Sequence, residues 1–433
     1  MDKWPTYPLE SFVEGNRSIC YGIVQPGSHQ PDGSPILRVN NFQQGRIDAT
    51  EVLRVAPAIE EKYHRSRLRG GELLVTLVGT MGLSAIVPRE MGGWNVARAV
   101  GVVPLKAEVD KRWINFVVRS DAAQRFIKVH ANTTVQPTFN LRDLAQLPVP
   151  MPPDEIRQAA SDLLSALDDK IELNRQTNQT LEALARTIFK DWFVDFGPTR
   201  AKAEGRAPYL EPALWDLFPD RLDAEGKPEG WSIETLGALA DSADGQIRTG
   251  PFGSQLHKSD YVATGTPVVM PANLTTTSIC EDGIARIDAS TLERLSDHTL
   301  DPGDIVYGRR GDIGRKAIVS RHEKGWLCGT GCLRVGLHSD KCPEHFLFCH
   351  LDHPTTRDWI FARAVGATMP NLNTKILREV EILLPGQALV ARFENIASHL
   401  FRKAAERRQE NRTLAQTRDL LLPKLMSGEI RLR

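Results

Sequence analysis

The apolar positions of the chain follow two patterns that alternate along it. Residues 1–153 hold short apolar runs broken by Gly, Pro and Asn, which is typical of strands and turns. The clearest runs are 36–39, 73–78, 85–87 and 100–105. A helix is predicted from Trp113 to Val129, with its large apolar side chains on one side. The proline-rich segment 147–153 is predicted to be extended, because proline lacks the N–H that a helix needs.

Two long amphipathic helices are predicted where the pattern changes to a spacing of alternate threes and fours. The first begins at Asp154, with acidic residues in its first turn, and spans 154–194. The second begins at 387 and, with its tail, reaches 433. Forty helical residues extend roughly 60 Å. A heptad spacing predicts a coiled-coil seam, for which the candidate residues are Leu163, Leu167, Asn178 and Leu181 in the first helix and Ile396, Leu400, Asn411 and Leu414 in the second.

The second half of the chain repeats the first at an offset of 232 or 233 residues. Gly71–Val75 aligns with Gly303–Tyr307, and Ala85–Val87 aligns with Ala317–Val319. The period is far longer than that of a solenoid unit, so a whole module of globular domain plus helix is duplicated. The predicted organisation is a first domain at 1–153, a first long helix at 154–194, a linker at 195–230, a second domain at 231–386, and a second long helix with tail at 387–433.

The two long helices are the obvious partners for each other, since an amphipathic helix of this length needs its apolar stripe covered. Residues 154–193 carry a net charge of −3 and residues 387–426 a net charge of +4, which favours pairing between them over self-pairing. The order domain, helix, domain, helix makes that pair antiparallel. Asn178 and Asn411 either fix its register from the seam or lie at a solvent-exposed helix edge. The predicted fold class is α+β: two similar α/β domains separated by an antiparallel coiled coil, with an internal pseudo-two-fold repeat.

The composition is that of an ordinary soluble globular protein, with 41% hydrophobic and 25% charged residues and a net charge of zero. No apolar stretch is long enough for a bilayer span, and the N-terminus lacks the apolar core of a signal peptide, so a cytoplasmic chain without membrane contact is expected. Cys328, Cys332, Cys342 and Cys349 lack tight metal-ligand spacing. Reduced thiols acting as small apolar side chains are favoured over a zinc site.

Several motifs in order resemble the DNA-specificity subunit of type I restriction–modification systems. Ile247–Leu256, followed by Gly265–Val269, is similar to the start of many target-recognition domains of that family. Gly303–Val306 followed by Gly311–Gly314 is a second similar element. The segments Phe193–Phe196, Phe218-Pro219 and Pro228–Trp231 resemble the family's central linker. The first domain departs from the pattern, since it has Gly71-Glu72-Leu73 and lacks the Gly-Pro-Phe-Gly-Ser run.

The resemblance implies a targeting subunit that performs no chemistry. Such a subunit binds a bipartite duplex DNA sequence, one half-site per recognition domain, and docks two methyltransferase subunits and, through them, restriction subunits. S-adenosylmethionine, ATP and magnesium are then expected on the partner subunits and none on this chain. The chain itself carries no candidate catalytic set and no metal site, and the match of Pro219-Asp220 and Glu225–Lys227 to a nuclease signature lies in a Gly/Pro-rich linker and is attributed to chance. The alternative is a protein-binding scaffold with two spaced modules and no DNA role.

Candidate DNA-contacting residues are the basic, amide and hydroxyl side chains in predicted loops, because phosphates need cations and base edges need hydrogen-bonding groups. They are Asn40, Asn41, Gln43, Gln44, Arg46, Arg65, Arg67, Arg69, Thr134 and Gln136 in the first domain, and Gly250, Ser254, Asn273, Thr275, Arg309, Arg310, Arg315, Lys316 and Asn371 in the second. For the basic runs the alternative is a solvated surface. For Asn40, Asn41 and Asn273 it is a turn in which the side chain bonds its own backbone.

Overall fold

The computed structural model describes residues 4–43, 45–132, 137–364 and 371–432. The chain divides into two compact units. The first comprises residues 1–173 and 410–433, and the second comprises residues 174–409. Each unit contains one globular domain together with one part of each long helix.

Within the described residues, the first unit begins with a domain of short strands and four α-helices. Its strands are β1 Thr6–Pro8, β2 Cys20–Tyr21, β3 Ser34–Leu37, β4 Phe42–Gln43, β5 Arg46–Ile47, β6 Leu53–Val55, β7 Leu73–Thr76, β8 Ser84–Ile86, β9 Asn95–Val96, β10 Val100–Val103 and β11 Pro148–Pro150. Its helices are α1 Pro57–Glu60, α2 Lys111–Arg119, α3 Asp121–His130 and α4 Leu141–Ala145. The first long helix, α5, then runs over Asp154–Phe193.

The core of the first unit lies on both faces of an antiparallel sheet with strand order β2-β10-β7-β8. All residues of β7 and β10 are buried, as expected for central strands of Leu and Val. A second sheet has the order β6-β3-β9 and contains one parallel pair, β3 with β9. The proline-rich exit forms β11, which pairs with β1 at the start of the chain.

The second unit continues from α5 through the linker into the second domain. Its helices are α6 Gly197–Ala203, α7 Pro212–Trp215, α8 Leu236–Ser242, α9 Ala289–Arg294, α10 Glu344–Asp352, α11 Pro354–Arg363 and α12 Thr374–Arg378. Its strands are β12 Ser232–Thr235, β13 Gln246–Thr249, β14 Tyr261–Val262, β15 Thr266–Val269, β16 Ala285–Ile287, β17 Ile305–Gly308, β18 Lys316–Ile318, β19 Leu327–Cys328, β20 Cys332–Gly336 and β21 Glu381–Leu384. The second long helix, α13, covers Gln387–Ser427.

The second domain repeats the plan of the first. Its main sheet has the order β13-β20-β17-β18, and a second sheet, β14-β16-β15-β19, again holds one parallel pair, β15 with β19. The helices α2 and α10 lie 233 residues apart at both ends, and so do the starts of α5 and α13. The predicted class is therefore confirmed: the protein mixes helix and sheet in two similar domains joined by long helices.

The long helices pair antiparallel within each unit. In the first unit Asn411 Nδ2 donates to the carbonyl of Ile171 at 3.1 Å, and Arg418 pairs with Asp168 at 2.7 Å, so positions rise in one helix as they fall in the other. In the second unit Arg408 pairs with Glu182 at 2.9 Å. Nearer the start of α13, the rings of Phe393 and Phe189 lie 5.7 Å apart.

The buried positions of the paired helices differ in part from the predicted seam. The predicted residues Leu163, Leu167, Leu181, Ile396, Leu400 and Leu414 are half-buried, whereas Leu164, Glu182, Ala397 and Phe401, each one position later, are buried. Of these four positions Glu182 is the charged one, and a pattern of apolar residues does not reveal it. Asn178 is buried and the Asn411 side chain bonds the facing helix, so the seam alternative describes both asparagines.

The single helix predicted over Trp113–Val129 is two helices, α2 and α3, broken at Ser120. Ser120 has an extended backbone, with φ −67° and ψ 152°. Its hydroxyl donates to the carbonyl of Val117 and accepts from the amide of Ala123, so it ends one helix and caps the next. Apolar spacing continues across this break, which is why the pattern did not reveal it.

The linker between the domains is packed rather than extended. Phe218 is buried against Trp192 of α5, with their ring centroids 5.5 Å apart, and Trp231 lies against Phe193 and Phe196. Among the described residues, no helix combines the length and apolar character that crossing a membrane requires.

Candidate nucleic-acid interface

One edge of the main sheet in the second domain gathers four polypeptide segments. Strands β13 and β17 end at this edge, and β20 and β18 begin there, because neighbouring strands are antiparallel. The loops 250–254, 309–315 and 329–331 therefore meet. The amide of Gly250 donates to the carbonyl of Cys332 at 2.9 Å, and the amide of Arg309 donates to Gly331 at 2.7 Å. A bridge between Arg310 and Asn371 adds the fourth segment.

The same edge exists in the first domain with equivalent backbone contacts. The amide of Leu77 donates to Ala99 at 2.7 Å, which repeats the Arg309–Gly331 bond at an offset of 232. Val78 bridges to Thr138 as Arg310 bridges to Asn371. The loops 22–24, 77–83 and 97–99 meet there. We call this side the loop edge of each domain.

A glycine begins the first loop of each loop edge for the same steric reason. A Cβ on Gly22 would lie 1.9 Å from the carbonyl oxygen of Val96, and one on Gly250 would lie 2.1 Å from that of Gly329. Two residues later each loop exposes an apolar side chain, Val24 or Phe252. The first domain thus keeps the tight approach although it lacks the Gly-Pro-Phe-Gly-Ser run.

Most of the candidates in the second domain lie on its loop edge. Ser254 and Arg310 are exposed, and Arg315 is 48% exposed while it pairs with Asp312 at 2.9 Å. Gly250 is buried, and Arg309 and Asn371 are half-buried at the same edge. This grouping joins residues that are far apart in sequence.

Lys316 does not belong to this surface. Its side chain is 1% exposed, its ammonium forms an ion pair with Asp352, and it lies 5.5 Å from the centre of the Phe348 ring. Burial lowers the pKa of Lys316, while the Asp352 carboxylate opposes that shift. The residue was predicted to contact DNA because it follows Arg315 in sequence. As the first residue of β18 its side chain faces the core instead.

Asn41 and Asn273 have the structural role that turn chemistry predicts. They lie 232 residues apart, and each ends a short 3-10 helix with its side chain buried. Asn273 Oδ1 accepts from the Met270 amide at 3.0 Å, and its Nδ2 donates to the Cys280 carbonyl at 3.2 Å. Asn41 makes the same type of bond with Arg38 and donates to the carbonyls of Asp48 and Glu51. Their amide groups are therefore used inside the loop.

The remaining polar candidates differ in exposure. Asn40 is exposed, and Gln43 donates to Asp48 at 2.9 Å. The Thr275 hydroxyl closes its own turn by donating to the Ser278 carbonyl. Arg46 pairs with Asp169 of α5 at 2.8 Å, so it contacts the long helix. Gln44, Thr134 and Gln136 lie outside the described residues.

The basic run of the first domain lies at the edge opposite its loop edge. Arg69 precedes β7, whereas the loop 77–83 follows it, and Arg65 bonds Ser18 just before β2. Arg65 and Arg69 are exposed, and Arg67 is held by Glu60 at 2.5 Å and Glu61 at 2.9 Å. The two predicted basic runs are therefore not equivalent. On the loop edge of the first domain, Arg98 is exposed. The repeat offset of 232 makes it equivalent to Thr330, so the offset could have indicated this position.

At that opposite edge of each domain, a buried acid accepts a hydrogen bond from the backbone. Glu72 accepts from the amide of Arg69 and Asp304 accepts from that of Asp301, both at 2.8 Å and at equivalent positions. The Glu72 that departs from the family pattern thus serves as Asp304 does. Burial raises the pKa of Asp304 to about 6, against the lowering effects of the Asp301 amide and Arg334.

The cysteines carry free thiols, and the four considered for zinc are buried. Burial raises the pKa of Cys328 to about 12, so its thiol stays protonated. Within the described residues, the group that gathers three potential ligand atoms is Glu344, His345 and Glu394, which contains no cysteine. There Glu394 accepts from His345 at 2.5 Å and from the Phe346 amide at 3.1 Å, which ties the start of α10 to α13.

Comparisons with known proteins found a matching family model and several relatives. Residues 23–183 match the family model described as type I restriction modification DNA specificity domain. The chain is 26% identical over 339 residues to the type I restriction enzyme HindI specificity subunit of Haemophilus influenzae, covering 68% of this chain and 71% of the relative. It is 22% identical to the MjaIX specificity subunit of Methanocaldococcus jannaschii, covering 83% and 78%. Over 199 residues it is 31% identical to the EcoBI specificity subunit of Escherichia coli, covering 43% and 41%.

The fold also matches a solved structure over its whole length. The crystal structure of a type I restriction-modification system S subunit from M. genitalium aligns with a TM-score of 0.53 at 15% identity, covering 98% of this chain and 96% of that one. At this identity the likeness concerns the fold, with its two domains and paired helices. The chain is therefore similar, in part of its sequence and in its fold, to specificity subunits of type I restriction–modification systems, which are targeting subunits and not the catalytic ones.

Proposed function

We propose that this chain directs a methyltransferase to a bipartite duplex DNA sequence, with each recognition domain reading one half-site through its loop edge. The observation that carries the proposal is the duplicated loop edge. Both domains bring equivalent loops together with the same backbone bonds, Leu77 to Ala99 and Arg309 to Gly331. The loop scaffold is repeated while the side chains on it differ, which suits two different half-sites.

The side chains on the loop edges have the chemistry that duplex DNA requires. Arg310 and Arg315 in the second domain and Arg98 in the first supply cations for phosphates or guanines. Phe252 and Val24 add exposed apolar surface beside them. The chain's net charge of zero is no obstacle, because phosphate contacts depend on the individual cations at the interface and not on the charge of the whole chain.

In this proposal the long helices set the spacing between half-sites and contribute to the docking of two methyltransferase subunits, through which restriction subunits join the full complex. S-adenosylmethionine, ATP and magnesium bind to those partner subunits, and the complex works in the cytoplasm. The targeting chain then needs no reactive group of its own.

The test uses the complex assembled with its methyltransferase subunits. Replacing the loop 309–315 with that of another recognition domain is expected to change the methylated sequence in one half-site only. The matched control replaces Arg65 and Arg69 with alanine, because these exposed arginines lie at the opposite edge of the first domain. We expect the control to leave the sequence unchanged. Alteration of both half-sites, or methylation by this chain alone, contradicts the proposal. Loss of all sequence-selective DNA retention in the wild-type complex would favour a protein-binding scaffold.

A further inference from the structure

Each recognition domain contacts its long-helix segments through a cluster of charged side chains, which are buried except for Arg186, whose side chain is 36% exposed. In the first unit Asp168 of α5 accepts from Arg119 at 2.6 Å and from Arg418 of α13 at 2.7 Å, and the three side chains are 8–13% exposed. In the second unit Asp352 accepts from Arg186 of α5 at 2.5 Å and from Lys316. We call these the Asp168 cluster and the Asp352 cluster.

The two clusters occupy equivalent places but have opposite polarity. Arg119 and Asp352 are the last residues of the equivalent helices α2 and α10, at an offset of 233. The first domain therefore contributes a cation to its cluster, whereas the second contributes an anion together with the cation of Lys316.

The long helices are inverted in the same sense. Asp419 and Arg186 are equivalent at the same offset, with an acid in the first unit and a base in the second. The positions equivalent to Asp168 and Arg418 are Phe401 and Ala185, both buried in the apolar core of the second unit. Neither the acid nor the arginine of the Asp168 cluster is thus reproduced in the other unit.

A second contact between domain and helix keeps one polarity in both units, which shows that inversion is not general. Arg112 of α2 pairs with Asp162 of α5 at 2.8 Å. At the position equivalent to Arg112, His345 of α10 bonds Glu394 of α13 at 2.5 Å. In both units the base belongs to the domain and the acid to the long helix.

We propose that the Asp168 and Asp352 clusters make the contact between domain and helices charge-selective, so that each recognition domain packs stably only on its own pair of long-helix segments. A first domain seated in the second unit would bring Arg119 towards Arg186 and leave it without the Asp168 carboxylate. A second domain packed in the first unit would bring Asp352, with its own Lys316, towards the buried Asp168 and the exposed Asp419. Like charges at a partly buried contact destabilise it, because burial reduces their screening by water. The surface that the first unit offers therefore fits a recognition domain ending α2 in a cation.

The test exchanges the positions of the two recognition domains in the full chain. The transposed chain carries residues 231–386 before the first long helix and residues 4–153 before the second. We expect its thermal midpoint to fall by roughly 5 °C or more, or the chain to aggregate. In a second chain, the residues at the cluster positions of the two long helices are exchanged as well. The substitutions are Asp168→Phe, Ala185→Arg, Arg186→Asp, Phe401→Asp, Arg418→Ala and Asp419→Arg. This chain is expected to regain most of the parental midpoint.

The matched control makes a similar exchange at exposed, equivalent positions outside the clusters in the transposed chain. It combines Glu155→Ala with Ala388→Glu and Ala166→His with His399→Ala, and no recovery is expected. A transposed chain as stable as the parent overturns the proposal. Recovery of the thermal midpoint by the control also overturns it. So does a second chain, with exchanged cluster positions, whose midpoint is no higher than that of the transposed chain.

A variant in the native order gives a second readout that needs no transposition. Arg186→Asp places an acid against Asp352 and is expected to lower the midpoint by about 3–6 °C, more than Arg186→Gln, which removes only the attraction. Equal falls in the thermal midpoint for the two variants would contradict a charge-selective contact. DNA recognition enters none of these measurements, so failure here leaves the proposed function untouched.

Discussion

Replacing Asn273 by alanine separates base reading from loop stabilisation. The side chain is 7% exposed, and its two hydrogen bonds, from the Met270 amide and to the Cys280 carbonyl, close the loop that follows β15. Each bond contributes about 1 kcal/mol, and the Met270 amide left without a partner adds to the cost, so we expect a loss of about 2–3 kcal/mol. For a unit of this size that corresponds to a fall of roughly 4–12 °C in the thermal midpoint.

The assay follows thermal unfolding by circular dichroism and, separately, DNA binding per folded molecule in the assembled complex. We expect Asn273→Ala to lower the midpoint while the folded fraction keeps its sequence preference. Asn41→Ala is the matched variant in the first unit, because Asn41 makes the equivalent bonds. Asn40→Ala is the control, since Asn40 is exposed and its replacement should change stability by less than about 0.5 kcal/mol.

The opposite result would refute this reasoning. If Asn273→Ala unfolded at the wild-type temperature and the complex accepted different bases in one half-site, the amide would be reading DNA. The hydrogen bonds within the loop would then not be its function.

Three further predictions concern the core, the seam and the loop edge. Burial raises the pKa of Asp304 to about 6, above its ordinary value of about 4, so the stability linked to this carboxyl is complete below pH 4 and is lost as pH rises through 6. In urea unfolding, the wild-type free energy of unfolding should therefore fall by up to about 3 kcal/mol between pH 4 and 7 because of this carboxyl, and Asp304→Asn should lack that fall. A dependence of the unfolding free energy on pH that is parallel in variant and wild type would contradict this. Phe393→Ala should cost about 3–5 kcal/mol, because its ring is fully buried among Phe189, Phe193 and other aromatic side chains, and a loss under 1 kcal/mol would argue against that packing. Arg310→Ala should reduce the slope of log affinity against log salt by about 1 in the complex, whereas Arg65→Ala should leave the slope unchanged.

Spacing along the chain was enough to locate the repeat and the long helices. The helices α5 and α13 begin at Asp154 and Gln387, where the acidic first turn and the offset predict them. The central strands β7 and β10 also lie within the predicted apolar runs. These features depend on local periodicity and composition, which a sequence records directly.

Side-chain roles were harder to predict because they depend on neighbours that are distant in sequence. Lys316 and Arg315 are adjacent, yet one is buried against Asp352 and the other half exposed, since β18 begins between loop and core. Asn273 offered both a turn and a base contact until its partners Met270 and Cys280 were located.

The sequence by itself determined the duplication, the two similar domains and the pairing preference of two oppositely charged helices. Tertiary structure alone decided which face of each helix is buried, and it placed Glu182 in the seam where the heptads predicted Leu181. It also decided which loops share an edge, through the bridges Val78–Thr138 and Arg310–Asn371. The physical reason is that periodicity specifies a stripe on one element, whereas burial of a charge and the meeting of loops depend on the element opposite.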